Sequence, residues 1–301
     1  MTDAAASPAT RPLRLSERIE GVAAIALMAL FKALPIGLAS GIGGFLARSV
    51  GPWLGISKRA RRNLEQAIPE LSAAERGAVV RKMWDNLGRV IAEYPHIGQL
   101  KCFVPGTRLE TAGLDHLHEA VARGKPIIFI SGHYGNWEAL GTTANQCGLP
   151  LAMVYRAPNN PIVAALMERT RTDFGGSVIP KGAGGARQLI QVLRAKQTVA
   201  LLIDQKMNDG IPVPFFGRDA WTASGAVELA LRYDATILMA RATRIGGAHF
   251  CVSVSPAIEI ANTGDRHADV HTTLTRINQE LERWIREDPG QWFWLHKRWP
   301  D

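Results

Sequence analysis

Cysteine is scarce in this chain of 301 residues. Cys102, Cys147 and Cys251 stand far apart, with no Cys-x-x-Cys and no pattern that suggests disulfide pairs. They fit a reducing compartment and make no metal site by themselves. A Gly-x-Ser-x-Gly elbow is missing, so the usual serine nucleophile has no seat. No short apolar core followed by an Ala-x-Ala cleavage site marks a signal peptide. Internal repeats are absent, and low complexity is confined to the small, polar residues 1–10, which are expected to be loose. Acidic side chains are outnumbered: 27 Asp and Glu against 35 Lys and Arg leave a formal charge of +8. Such a surface favours anionic partners, whether nucleic acid, an anionic membrane or an acidic protein.

What is present divides along the chain. After Arg11, Arg14 and Arg18 comes an apolar run at 21–47, GVAAIALMALFKALPIGLASGIGGFLA, in which Lys32 is the sole charge and Pro35 a break. Its length allows a tilted or kinked span, a surface-lying or re-entrant hairpin, or a buried helix pair. A spanning segment would start on the cytoplasmic side, by the preceding arginines; in a surface-lying one, Lys32 would reach headgroups while its stem stays apolar. The expected organisation is a flexible N-terminus at 1–16, a membrane-anchoring segment at 17–57 and a catalytic domain at 58–301. Residues 58–68, KRARRNLEQAI, form a basic helix that suits either phosphate headgroups or solvent. A second helix at 71–94 opens on a Ser72–Glu75 capping box and stops at Pro95. Beyond it, strand-like and helix-like text alternates, predicting an α/β domain with a mostly parallel or mixed sheet covered by helices. Residues 251–260 read as an edge strand or two short strands, and the proline-rich, aromatic stretch 211–217 as a channel-lining loop or lid.

Three blocks carry chemistry. In IIFISGHYGNWE at 127–138 a buried strand ends in a glycine-rich turn holding His133 and Glu138. Ligands of open α/β sheets bind at that strand end. Glu138, in the first turn of a helix starting near Asn136, is expected to reach back to a ring nitrogen of His133, fixing its tautomer and stabilising the imidazolium. With no serine in a Gly-x-Ser-x-Gly elbow and no cysteine near it, His133 would act as general base on a substrate hydroxyl. A helix-capping His–Glu pair without catalysis is the structural alternative. In YRAPNNP at 155–161, Arg156 is placed on the same rim to grip a phosphate, and Asn159 and Asn160 precede a helix they could cap. In LLIDQKMNDGIPVPFFG at 201–217, Asp204 and Gln205 end another apolar strand, and no second carboxylate stands at ligand spacing for a metal. The tail PGQWFWLHKRWP at 289–300 mixes tryptophan with cations, a composition that suits a membrane interface, nucleic-acid stacking or core packing; the apolar N-terminal segment favours lipid over nucleic acid.

In this order, HYGNWE, YRAPNNP, LLIDQKMNDGIPVPFFGRDAWTASG and PGQWFWLHKRW resemble the late acyltransferases of bacterial lipid A biosynthesis, within the glycerol-phosphate acyltransferase group. The resemblance covers roughly 17–299. It implies a charge relay of His133 with Glu138, an acyl-carrier-protein thioester as donor, and a Kdo-bearing lipid A precursor as acceptor. It implies substrate binding by Arg156, Asn159, Asp204 and Gln205, a hydrophobic acyl groove, and work at the cytoplasmic side of the inner membrane with no metal or cofactor. Lysophospholipids, phosphatidylinositol mannosides and ornithine lipids are acceptors of proteins sharing that core, so the core speaks for acyl transfer more than for one acceptor. A histidine-based hydrolase and a nonenzymatic membrane-associated nucleic-acid binder are the rival classes; the second leaves His133 and Glu138 unexplained and has no nucleic-acid motif.

Overall fold

Pro35 divides the long apolar run into two helices, because it cannot continue α1 (Leu15–Ala33) and opens α2 (Ile36–Val50). The computed structural model describes residues 13–173, 176–180 and 182–299; residues 1–12, which include the expected loose stretch 1–10 and Arg11, lie outside these. Among the described residues no helix is long and apolar enough to cross a membrane. The 15 residues of α2 reach only about 22 Å, short of the ~30 Å apolar layer. α1 carries Glu17, Arg18 and Glu20 in its first turns and Lys32 in its last. The spanning alternative therefore finds no helix to carry it.

α2 crosses α4 (Ala73–Glu93) at Gly43 and Gly88, where a Cβ on either glycine would collide with the carbonyl oxygen of the other. α3 (Ser57–Ala67) packs Ala60, Leu64 and Ala67 inward. Its Asn63 donates to the carbonyls of Trp294 and His296, so the basic helix grips the C-terminal tail. α4 begins on the expected capping box of Ser72 and Glu75. Away from these contacts, α1, α2 and the turn after them leave Val22, Leu30, Leu38, Phe45 and Leu46 exposed, and Trp53 is 85% exposed.

The α/β expectation is met. The chain continues through β1 (Leu109–Ala112), α5 (Leu114–Ala122), β2 (Ile127–Ser131), α6 (Ala139–Gln146), β3 (Leu151–Tyr155) and α7 (Pro161–Asp173). There follow β4 (Ser177–Pro180), α8 (Ala183–Arg194), β5 (Thr198–Leu202), the β6–β7 hairpin (Ile211–Phe215, Arg218–Thr222) and α9 (Gly225–Tyr233). Last come β8 (Thr236–Gly246), β9 (His249–Val254) and α10 (Arg266–Glu287). Seven strands form one sheet in the order β1-β9-β8-β2-β5-β3-β4. β2 is central, parallel to β5 and β8, with Ile127 level with both Thr198 and Thr236. All five residues of β2 are buried, as its unbroken apolar text demands.

Two segments differ from expectation. β9 is not an edge strand: β1 pairs outside it, while β9 runs antiparallel to β8. The stretch 211–217 is mostly strand, paired from Ile211↔Thr222 to Phe215↔Arg218. Proline argues against a strand, but a separate ribbon tolerates it: Pro212 and Pro214 point outward while Val213 and Phe215 are buried.

The tail is core rather than an interfacial rim. Trp292, Trp294 and Trp299 are all buried. Trp292 and Trp294 meet edge to face at 4.6 Å, and Trp299 stacks on Phe215 at 5.6 Å. Arg298, with no exposed surface, donates to the Trp221 carbonyl and to Thr222 Oγ1 and lies over the Phe215 ring. Its burial pulls the guanidinium down to about 10.

Gly43→Val should force α2 off α4 and destabilise the protein by about 1–3 kcal/mol, the usual cost of overpacking. Chemical unfolding in detergent measures it; unchanged stability would mean that the helices do not cross this closely.

Candidate active site

Parallel strands deliver the key side chains to one rim. His133 follows β2, Asp204 follows β5 and Arg156 follows β3, each just past the carboxyl end of its strand. Of these, the structure joins His133 to Asp204. The Nδ1 of His133 lies 2.8 Å from Asp204 Oδ1, and its backbone N–H donates to Oδ2 at 2.7 Å. The indole N–H of Trp292 donates to the same Oδ2 at 2.8 Å. An ionised carboxylate only accepts, so the ring contact requires Nδ1–H and leaves Nε2 with its lone pair. Burial alone would raise the Asp204 carboxyl; the charge of His133 and the hydrogen bonds from its ring and main chain outweigh burial and hold it well below the usual carboxylate range.

Glu138 is not the relay partner expected for His133. Its carboxylate is taken by Arg171 of α7, at 2.6 Å and 3.2 Å, and accepts from the Trp137 indole. The reason is local geometry: residues 132–137 form an irregular turn, and α6 starts at Ala139 rather than near Asn136, so Glu138 sits at its N-cap position facing α7. Glu138 and Arg171 both still line the main cavity.

The turn itself is stitched from three sides. Gly135 has φ +58°, and a Cβ there would collide with the Ala242 carbonyl of β8. Its N–H donates to Gln291, its carbonyl accepts from Asn86, and Asn136 N–H donates to Ala242. Behind the turn, Glu93 at the end of α4 is wholly buried. It accepts from Ser40 of α2 at 2.6 Å, from the Asn136 amide at 2.8 Å, and from Arg244 of β8 through two nitrogens at 2.5 and 2.9 Å.

Rings enclose the histidine. Trp137 approaches edge-on at 5.0 Å, His296 at 4.7 Å and Phe293 lies at 6.3 Å. Burial, with His133 and Arg298 beside it, lowers His296 to about 3, so it stays neutral. His133, Asp204 and His296 offer atoms within 4.8 Å of one another, a donor set a metal ion would accept. Both Asp204 oxygens already accept hydrogen bonds, however, which a metal bound there would have to replace.

From His133 opens a cavity of about 680 Å³, within the usual size range of small-molecule sites. Leu140, Met153, Met167, Ile179, Leu189, Leu201 and Leu229 give it an apolar wall. Arg156, Gln205, Lys206 and Asp209 line it too, and all four are exposed to solvent. Gln205 Nε2 stands 3.4 Å from His133 Nε2, beside the free lone pair. Asn159 is exposed and does not line the cavity; Asn160 caps α7 and also donates to the Glu17 carbonyl of α1. Arg171, Trp292, His296 and Glu93 escaped sequence reasoning. Of the four, Trp292 and His296 sat in a motif already noticed, whose aromatic content pointed outward instead of toward the site.

The profile of the family described as bacterial lipid A biosynthesis acyltransferase matches residues 10–301. A lipid A biosynthesis acyltransferase of Haemophilus influenzae is 24% identical over 83% of this chain and 79% of its own length. The lipid A biosynthesis lauroyltransferase of Escherichia coli (strain K12) is 27% identical over 80% and 78%. A phosphatidylinositol mannoside acyltransferase of Mycolicibacterium smegmatis is 23% identical over 90% and 88%.

The neutral, buried His296 has a consequence for stability. In the unfolded chain it takes a proton near 6.5, in the fold only near 3. Between those values the unfolded state binds more protons, so stability falls as pH drops through that window, by up to about 1.4 kcal/mol per pH unit. His296→Phe should flatten the slope between pH 6 and about pH 4 in urea titrations. An identical slope in both proteins would exclude a buried neutral His296.

Proposed function

The chain belongs to the bacterial lipid A biosynthesis acyltransferase family, and from that premise we propose that it moves a fatty acyl chain from an acyl-carrier-protein thioester to a hydroxyl of a Kdo-bearing lipid A precursor. The observation that carries this reading is the His133–Asp204 pair at an apolar cavity with cations among its lining residues. His133 Nε2 takes the proton of the acceptor hydroxyl as the oxygen attacks the thioester carbonyl. Asp204 holds the ring and stabilises the imidazolium. The tetrahedral intermediate then expels the thiolate, which recovers the proton from His133. No protein nucleophile is needed, because the thioester is already activated. Gln205, beside Nε2, is the side-chain amide best placed to orient the hydroxyl or meet the developing oxyanion.

The acyl tail fills the apolar wall of the cavity, and Arg156 with Lys206 receives phosphate or the anionic carrier. The exposed apolar residues of α1 and α2 are read as a seat in the surface of the inner membrane, on its cytoplasmic side, rather than a span. A patch of this kind marks a partner surface in a monomer.

Purified protein mixed with several acyl-carrier-protein donors and three acceptors, a Kdo-lipid A precursor, a lysophospholipid and a phosphatidylinositol mannoside, tests the reading by product mass. One acyl chain gained on the lipid A precursor is expected; gain on another acceptor alone would move the substrate and keep the mechanism. His133→Ala should abolish transfer. Asp204→Asn should lower kcat by about 10⁴-fold, as loss of a ring-orienting carboxylate does elsewhere, and Glu138→Gln by no more than about 10²-fold, the effect of displaced neighbours. Equal losses in the last two variants would refute the assignment of Asp204 as relay. Arg156→Ala should raise KM for a phosphorylated acceptor and leave a dephosphorylated one unchanged; equal loss on both would remove Arg156 from phosphate binding.

A further inference from the structure

A second cavity, of about 460 Å³, lies at the elbow where α1 turns into α2. Lys32, Pro35, Ile36, His96, Gln99 and Arg108 line it. Among the described residues no carboxylate lines it, and Lys32 makes no ion pair. Arg108 is half-buried and meets only a neutral-capable partner, His249 Nε2 at 3.0 Å, so its charge is not cancelled there. His96, which is buried, braces the elbow by a 2.9 Å contact from Nε2 to the Phe31 carbonyl at the end of α1. Two cations around a polar hollow with no counter-charge form an anion-binding arrangement.

The surroundings say where that anion comes from. Leu30 and Leu38, on the two arms of the elbow, are 59% and 52% exposed. Shortly after Leu100 of the cavity wall in the chain, Phe103 is 60% exposed and Val104 46%. Phe103 also holds a positive φ of 58°, a conformation bulky residues rarely adopt. Apolar side chains flanking a cationic hollow match the layering of a bilayer surface, where acyl chains lie below and phosphates at headgroup depth. We propose that the elbow cavity formed by Lys32 and Arg108 is a binding site for the phosphate of an anionic membrane phospholipid, separate from the catalytic cavity. This rests on the membrane seat proposed above and adds to it a defined headgroup position. It would orient the α1–α2 arm on the membrane, and Ser40 of the same α2 touches the Glu93 carboxylate that also holds Asn136 of the catalytic turn.

Native mass spectrometry of the full-length protein in neutral detergent, titrated with phosphatidylglycerol, phosphatidylcholine or inorganic phosphate, is the test. Phosphatidylglycerol should bind one per chain, at least about tenfold tighter than phosphatidylcholine. Lys32→Gln, an exposed change that leaves the fold alone, and Arg108→Gln should each weaken it by about tenfold, the worth of one charged hydrogen bond. Arg123→Gln, an equal charge change at another exposed site, should not. Undiminished binding in Lys32→Gln and Arg108→Gln, or an equal loss in Arg123→Gln, would overturn the site. Inorganic phosphate that competes at equal concentration would overturn the lipid as its source. Flotation with phosphatidylcholine vesicles reports the apolar seat separately. Failed flotation with retained phosphatidylglycerol binding sinks the seat alone; flotation without headgroup preference sinks the cavity alone.

Discussion

Asp204 is a carboxylate with no exposed surface, kept ionised by three N–H donors. Removing an ion from water costs several kcal/mol unless partners replace the solvent. Here the partners come from the turn after β2 and from the C-terminal tail, so the charge draws together two segments far apart in sequence and pins both to the end of β5. The position of the His133 ring, its tautomer and the packing of Trp292 thus follow from where one charge is buried. Trp292 has a place in the core because its indole N–H has a carboxylate to meet, a condition buried tryptophans usually satisfy.

A second buried carboxylate performs the same task behind the turn. Glu93 gathers α2, β8 and Asn136 around itself, while Asn86, one helical stretch earlier on α4, accepts from Arg244 Nε and holds the Gly135 carbonyl. Breaking such a network strands charge in the interior, which is more costly than never having had it. The turn at 132–137 is therefore held between two carboxylates, Asp204 on the side of the His133 ring and Glu93 on the side of α2. A turn carrying Gly132 and Gly135 has little stiffness of its own; its rigidity is borrowed from these contacts.

The fold class was legible because β2 and β5 are unbroken apolar runs ending in polar, chemistry-bearing residues, and because helices with plain amphipathic text separate them. His133, Asp204 and Arg156 could be placed on one rim by that logic alone. The partner of His133 could not. Glu138 is close in sequence, and sequence proximity favours it; Asp204 is 71 positions away and is brought near by the parallel pairing of β2 with β5. Nothing in single-sequence text encodes which two strands become neighbours. The same blindness applied to the tail, where tryptophan beside Arg298 reads as an interface until Thr222, Asn278 and the Trp221 carbonyl are seen to take up both terminal nitrogens of its guanidinium inside the core.

These arrangements bear on why acyl transfer suits this site. In the proposed reaction a protein nucleophile is dispensable, because the proposed donor is a thioester, but a base must still meet a hydroxyl carried by a lipid. That places the demand on geometry: His133 Nε2 must face the cavity with its lone pair free, and Asp204 secures this by fixing the proton on Nδ1. Trp137, Phe293 and the neutral His296 crowd the ring without adding positive charge, so they do not oppose its protonation during the reaction. A charged imidazole at His296 would do so across only 4.7 Å. Burying His296 as a neutral side chain costs stability at acid pH and keeps a second positive charge away from the His133 ring.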